Sequence, residues 1–329
     1  MSNESSYFSR LSDSIGRAWN RFWFAPAEAL PLGVLRIGVG ALVMLHLILL
    51  SSDLGRWYSR DGLLTPEVVR VLLISEGVEP GYHVSYFNYL GDGWELMAVH
   101  GLAIIAALAF TAGLATRVAG AVTLFALLAL VHRLPLLTSP GEHVLTFLVF
   151  YLVIGPSGAA LSLDNWLHRR RQSALTLDGP ATSLWANLGI RLIQVHLAAF
   201  IAMMGLAKLY GDAWWDGIAI WSLVAQTLSR PMDLTFLRNA EFIINCWTHA
   251  VVWYHLAFPV LIWNSLARPL LLWTGIAIWG SLILATGLGI FGLAMIVASL
   301  AFVPAEFYRQ IAGTGLARSR RAIERSAAG

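Results

Sequence analysis

Two reactive side chains are almost missing from this chain of 329 residues: it has one cysteine, Cys246, and one lysine, Lys208. A single cysteine excludes an intramolecular disulfide, a cysteine-based zinc site and a CxxC redox pair. The sequence has no P-loop and no dinucleotide fingerprint. It has no metal-ligand spacing either, since His249 and His255 lack the i, i+3 or i, i+4 separation of a helical metal pair. Charge is scarce too, at 12% of residues, where soluble domains carry roughly 25%. What fills the space is apolar: 57% hydrophobic residues and a mean hydropathy of +0.67. Water-soluble enzyme folds are thereby excluded, and the fold class expected is an all-α integral membrane protein. The 14 tryptophans cluster near the ends of apolar segments, as interfacial aromatic belts do. A pI near 9.2 does not imply nucleic acid here, because most arginines fall on one side of a membrane. Residues 1–26 carry Arg10, Arg17 and Arg21 with no small-residue cleavage site after them, so no cleavable signal peptide is expected.

A helix needs about 20 apolar residues to cross the hydrocarbon core. Eight segments qualify as candidates: 31–50, 94–113, 117–136, 141–157, 186–207, 242–264, 269–285 and 288–306. With the N-terminus in the cytoplasm, eight crossings put Arg117, the HRRRQ stretch from His168 to Gln172, Arg268 and the RSRR stretch from Arg318 to Arg321 all inside. That is the positive-inside pattern. Three regions follow: a cytoplasmic N-terminal segment (1–30), a transmembrane domain (31–306) and a basic cytoplasmic tail (307–329). The expected location is a bacterial cytoplasmic (inner) membrane. Segment 158–185 is the natural seam between two four-helix halves, and no internal repeat is visible.

Two outer loops are patterned. Segment 65–78, TPEVVRVLLISEGV, opens with a threonine cap and a proline at the first helical position. Segment 214–228, WWDGIAIWSLVAQTL, reads as a helix lying in the interface. The alternative for both is re-entrant packing with no chemical role.

Ionisable groups at membrane depth are costly and default to functional hypotheses. Lys208 closes the fifth span at its outer boundary. Unlike arginine, a lysine gives up its proton when desolvated. The plain structural alternative is a snorkelling anchor. Gln194 lies 14 residues earlier on nearly the same helix face. His143 begins the fourth span on the same membrane side, after Glu142 at the positive helix end. It is either a capped interfacial histidine or, with Lys208, one half of an acid–base pair. Asp53, Arg56, Arg60 and Asp61 follow the first span and either order that loop or line an entrance. His196 and Arg191 point away from Lys208 and read as hydrogen bonds within the bundle. Trp214 and Trp215 complete the list of expected substrate-binding residues, with Asp53, Arg56, Arg60 and Gln194. No metal is expected.

Four stretches carry a resemblance. They are LPLGVLRIGVGALVMLHLIL, DLGRWYSRDGLL, LAFTAGLATRVAGAVTLFALLALVHRLPLLTSPGEHVL and GLAKLYGDAWWDG. In order and spacing they resemble the horizontally transferred transmembrane (HTTM) domain family, which includes the vitamin K-dependent gamma-carboxylases. The resemblance spans residues 28–306. It implies that Lys208 matches the lysine that deprotonates a vitamin K-like quinol, and that His143 matches a histidine near the reacting glutamate and carbon dioxide. Two features depart from it. No segment here corresponds to the large lumenal domain of the carboxylases, and the late span LLLWTGIAIWGSLILATGLGIFGLAM, where they have a further histidine, has none.

The first functional expectation is therefore a membrane enzyme with an outward-facing pocket, in which Lys208 is general base toward a quinol- or lipid-like substrate. Carboxylase-like (lyase) or quinol-dependent oxygenase chemistry would follow. The alternative is non-enzymatic: a membrane partner for maturing, binding or exporting a secreted peptide or lipid, with Lys208 as ligand for an anionic headgroup. The expected partners are membrane lipid and, beyond it, a quinone, a secreted peptide or a soluble partner protein. A transporter has little support without inverted repeats or paired broken helices.

Overall fold

The computed structural model describes residues 7–171, 182–226 and 231–311. Fourteen helices are found among them: α1 (Tyr7–Phe24), α2 (Leu30–Leu50), α3 (Leu54–Tyr58), α4 (Pro66–Ser75), α5 (Trp94–Ala112), α6 (Thr116–Arg133), α7 (Pro140–Ile154), α8 (Leu163–Arg171), α9 (Leu184–Lys208), α10 (Asp212–Trp215), α11 (Ala219–Val224), α12 (Glu241–Leu261), α13 (Ala267–Thr286) and α14 (Gly289–Ser299). The only strands among the described residues are β1 (Ala27–Glu28) and β2 (Thr182–Ser183), paired antiparallel. The protein is all-α.

Eight of these helices, α2, α5, α6, α7, α9, α12, α13 and α14, alternate in direction between two ends. At one end Arg36 of α2 reaches the turn after α7, and Asn187 at the start of α9 bonds the end of α1. At the other, Arg133 closes α6 against the loop after α2, and Gly141 at the start of α7 meets Phe291 of α14. Five of the eight, α2, α5, α6, α9 and α13, are long and apolar enough to cross a membrane. The other three candidates depart from expectation for identifiable reasons. At 15 residues, α7 spans only about 22 Å of a core roughly 30 Å thick. α12 carries Glu241, Asn245, His249 and His255, which lower its hydropathy. α14 ends at Ser299, and the chain bends by 102° before residues 305–311.

α2 lies at the centre, packed on α5, α7, α9 and α14, while α9 packs on α7 and α12. The outward faces stay apolar: Leu102, Ile105 and Leu108 on α5 and Leu270, Trp273 and Leu284 on α13 are exposed. Water would penalise such a continuous girdle and lipid does not. With the five apolar helices, it makes this a multi-pass membrane protein.

Segment 65–78 does fold as expected. Thr65 accepts the Val68 amide, Pro66 starts α4, and Glu67 sits in its first turn. Segment 214–228 does not form one helix, and its residues 227–228 lie outside the described residues. Gly217 at φ +74° breaks it into α10 and α11. Only glycine takes that left-handed angle freely, and a Cβ there would collide with the Asn245 side chain. The N-terminal segment, expected only to be cytoplasmic, holds a helix. α1 is amphipathic, with Phe22 and Trp23 carbonyls accepting from Asn187. Within the 158–185 seam, β2 and α8 are described. Gln172 of the HRRRQ stretch and the whole RSRR stretch lie outside the described residues.

Candidate functional site

Lys208 is the last residue of α9. The helix starts where the Ser183 hydroxyl accepts the Ala186 amide, and its 25 residues run about 37 Å, which delivers the lysine to the far end of the bundle. The chain then turns back. Gly211 donates to the Lys208 carbonyl at 3.3 Å, and α10 begins at once. This places the Trp214 ring over the amine, with Nζ 4.9 Å from the ring centroid, a cation–π distance. Nζ also donates to the Met204 carbonyl, one turn back, at 3.2 Å. Lys208 is half-buried. Neither partner is a carboxylate.

The other wall is α12. Gly205 lets the two helices touch: a Cβ there would sit 3.1 Å from the His255 Cβ and 3.2 Å from its carbonyl carbon. His255 is wholly buried, and its Nδ1 lies 2.6 Å from the Val251 carbonyl. A carbonyl only accepts, so Nδ1 carries the hydrogen and Nε2 of the neutral ring presents a lone pair. Nε2 is buried without a partner among the described residues. The Lys208 charge is close enough to act on this ring. Trp279 of α13 packs edge-on against His255 at 5.4 Å between ring centroids. The Tyr254 hydroxyl and the Trp279 indole N–H lie close together without well-formed hydrogen-bond geometry. Unsatisfied buried polar atoms are rare in natural proteins, and here three sit on rings that touch one another, Tyr254, His255 and Trp279.

Of the residues singled out from sequence, the fold brings Lys208 and Trp214 together. Trp215 is adjacent but exposed, its indole spent on the Leu209 carbonyl at 2.8 Å. His143 is exposed, with Nδ1 3.3 Å from the Ser139 carbonyl of its own turn. No hydrogen bond, ion pair or ring contact joins it to Lys208 among the described residues. Asp53 and Arg56 are exposed, and Arg60 pairs with Asp61 at 3.1 Å, both more than half exposed. Asp61 holds the Arg60 guanidinium above its ordinary pKa, by hydrogen bonding first and by charge second. Gln194 is buried in the opposite half, accepting from Arg191 at 2.8 Å and donating to the Ala301 carbonyl at 2.7 Å. His196 bonds Tyr151 at 3.0 Å and stacks on Phe147, a bundle contact.

Four residues that the structure buries, Glu142, Tyr58, Tyr254 and His255, were given no site role from sequence. Glu142, beside His143, turns inward: it accepts the Ser139 amide at 2.8 Å and meets His46 Nε2 at 3.0 Å. Burial first and the Glu142 charge second push the nearby Tyr58 hydroxyl up. His255 and Tyr254 sit mid-segment in WYHLAF, where an ionisable group at membrane depth was itself the signal. A cleft of about 500 Å³ opens between the α10–α11 turn and the start of α12, bordered by Asp216, Trp221, Arg238, Glu241 and Asn245. No protein-family model, curated protein or solved structure matches this chain.

Proposed function

We propose that this chain is an HTTM-type enzyme of the bacterial inner membrane that removes a proton from a quinol- or lipid-like amphiphile at its outer face. All eight alternating helices cross in this reading, with both termini cytoplasmic, as the arginine distribution favours. One observation carries the proposal. Among the described residues, the only lysine stands over Trp214 with no carboxylate partner, beside a buried histidine whose lone pair is unclaimed. The sequence resemblance supports it, with His255 taking the place first given to His143.

The chemistry is a proton transfer. The substrate's phenolic O–H breaks, the neutral Lys208 amine gains the proton, and the products are a phenolate and an ammonium. The Trp214 face and the Met204 carbonyl stabilise that ammonium, and the His255 lone pair, claimed by no donor among the described residues, is left to orient the substrate. A phenol suits the place, with an apolar body for the lipid and one weakly acidic group at the rim. Carboxylation or oxygenation would lie downstream of the phenolate.

The test compares wild type, Lys208→Arg and His255→Asn, each purified with native lipid. Bound quinone is extracted and identified by mass, and oxygen uptake is followed with a reduced naphthoquinol. Arginine keeps the charge but cannot act as a base. The arginine variant should therefore bind quinol like wild type and lose about 10²–10⁴-fold in turnover, the usual worth of a general base. Turnover that survives in Lys208→Arg removes the lysine's role. Wild type that neither carries nor oxidises a quinol removes the reading and favours a non-enzymatic partner for a secreted peptide or lipid.

A further inference from the structure

A second polar site lies at the Lys208 end, on the far side of the loops that follow α2. α4 sits outside the spans, yet Val68, Val71, Leu72 and Ile74 on it are exposed. An amphipathic helix with that much free apolar surface lies in the membrane interface. Its other face, Val69 and Leu73, is buried. Between this helix, the turn at Pro80–Tyr82 and the end of α6 is a cleft of about 460 Å³.

Arg133 lines the cleft and is only 1% exposed. It donates to the carbonyls of Tyr58, Ser59 and Leu64, while its Nη1 is buried with no partner among the described residues. His83 also lines it, and its Nδ1 is likewise buried and unpartnered. The His83 ring meets that of His132 at 5.8 Å between centroids, edge to face. Arg70 stands at the exposed mouth. Against these, Glu79 is the one acidic residue lining the cleft, and Glu67 lies close enough to interact with Arg133. Two arginines and two imidazoles against one lining carboxylate leave the cleft a receptor for negative charge. They offer more donors than the two oxygens of a carboxylate can use. A planar guanidinium beside further N–H donors matches the several oxygens of a phosphate.

The geometry points to a phosphate-binding site formed by Arg133, His83, His132 and Arg70. Its place at the interface makes the phosphodiester of an anionic lipid the ligand that reaches it most directly, and a soluble phosphate offers the same chemistry. Basic pockets beside membrane helices hold lipid headgroups in this way.

The experiment uses the full chain in detergent, titrated with dioctanoyl-phosphatidylglycerol and, separately, with dioctanoylglycerol, which lacks the phosphate, with bound copies counted by native mass spectrometry. Arg70→Ala and His83→Phe are the variants, because neither residue holds the loop carbonyls that Arg133 does. Wild type should prefer phosphatidylglycerol by about tenfold or more, as one charge-assisted hydrogen bond provides. Each variant should lose most of that preference while melting like wild type. Inorganic phosphate that displaces the lipid identifies a soluble oxyanion as ligand, and failure to displace it identifies the lipid. Equal binding of the two lipids with no phosphate binding, or a preference that survives both variants, overturns the assignment.

Discussion

Replacing Arg36 by methionine tests how the other end of the bundle is held. Arg36 is wholly buried on α2 and donates to the carbonyls of Ser157, Ala160 and Leu161 in the turn between α7 and α8. Leu161 sits at φ +51°, a left-handed angle that costs a non-glycine residue roughly 1–2 kcal/mol, so the arginine also secures a strained residue. Methionine fills similar volume and leaves three acceptors unpaired, each worth about 1–3 kcal/mol when buried. The turn relaxes partly and the costs do not add, so a local loss of about 3 kcal/mol is expected. At 1.4 kcal/mol per decade that is about a hundredfold faster amide exchange. Hydrogen exchange read by mass spectrometry should show it in peptides covering 155–165, with α12 peptides unchanged. Arg36→Lys should recover only part, since an ammonium cannot fork across three carbonyls. Exchange in 155–165 that changes less than about fivefold in Arg36→Met, under 1 kcal/mol, would refute the clamp.

Two further outcomes follow from close contacts. Asp164 accepts the amides of Ala115 and Thr116 and the Thr116 hydroxyl, capping α6. Burial is the largest single influence and opposes its ionisation, but those bonds and Arg36 together hold its pKa below the ordinary 3.8. A depressed folded pKa gives stability that is full above the unfolded value and lost as pH falls through the folded one. Asp164→Ala should therefore cost about 0.5–2 kcal/mol at neutral pH, and its melting difference from wild type should shrink below pH 4. A difference that stays constant down to pH 2 contradicts the cap. Gly205→Ala sets helix propensity, a gain of up to about 1 kcal/mol, against a Cβ 3.1 Å from His255, where overpacking costs about 1–3 kcal/mol. Its melting temperature should fall, and a rise would mean that α9 and α12 are not in contact there.

Much of the scaffold was legible from composition and local signals. Scarce charge and long apolar runs gave a helical membrane protein. Thr65-Pro66 gave α4, and the solitary lysine marked the end of α9. The facing of side chains was not legible. α5 and α6 are apolar all round, because lipid on one side and packed helices on the other both accept apolar groups. No periodic contrast then tells inward from outward. His143 was chosen for its depth, while its neighbour Glu142 is the residue that turns into the bundle to meet His46. Gly217 was visible in 214–228, but its left-handed break became apparent only once Asn245 was seen packed against it.

By itself, then, the sequence settled the solvent the chain folds in, the helical class and the one amine that stands apart, since these depend on composition and on runs along a single strand of residues. The tertiary structure alone decided that His255, forty-seven residues further on, is the imidazole beside that amine. That pairing rests on the close approach of α9 and α12 at Gly205, and an interhelical distance is written in no local pattern.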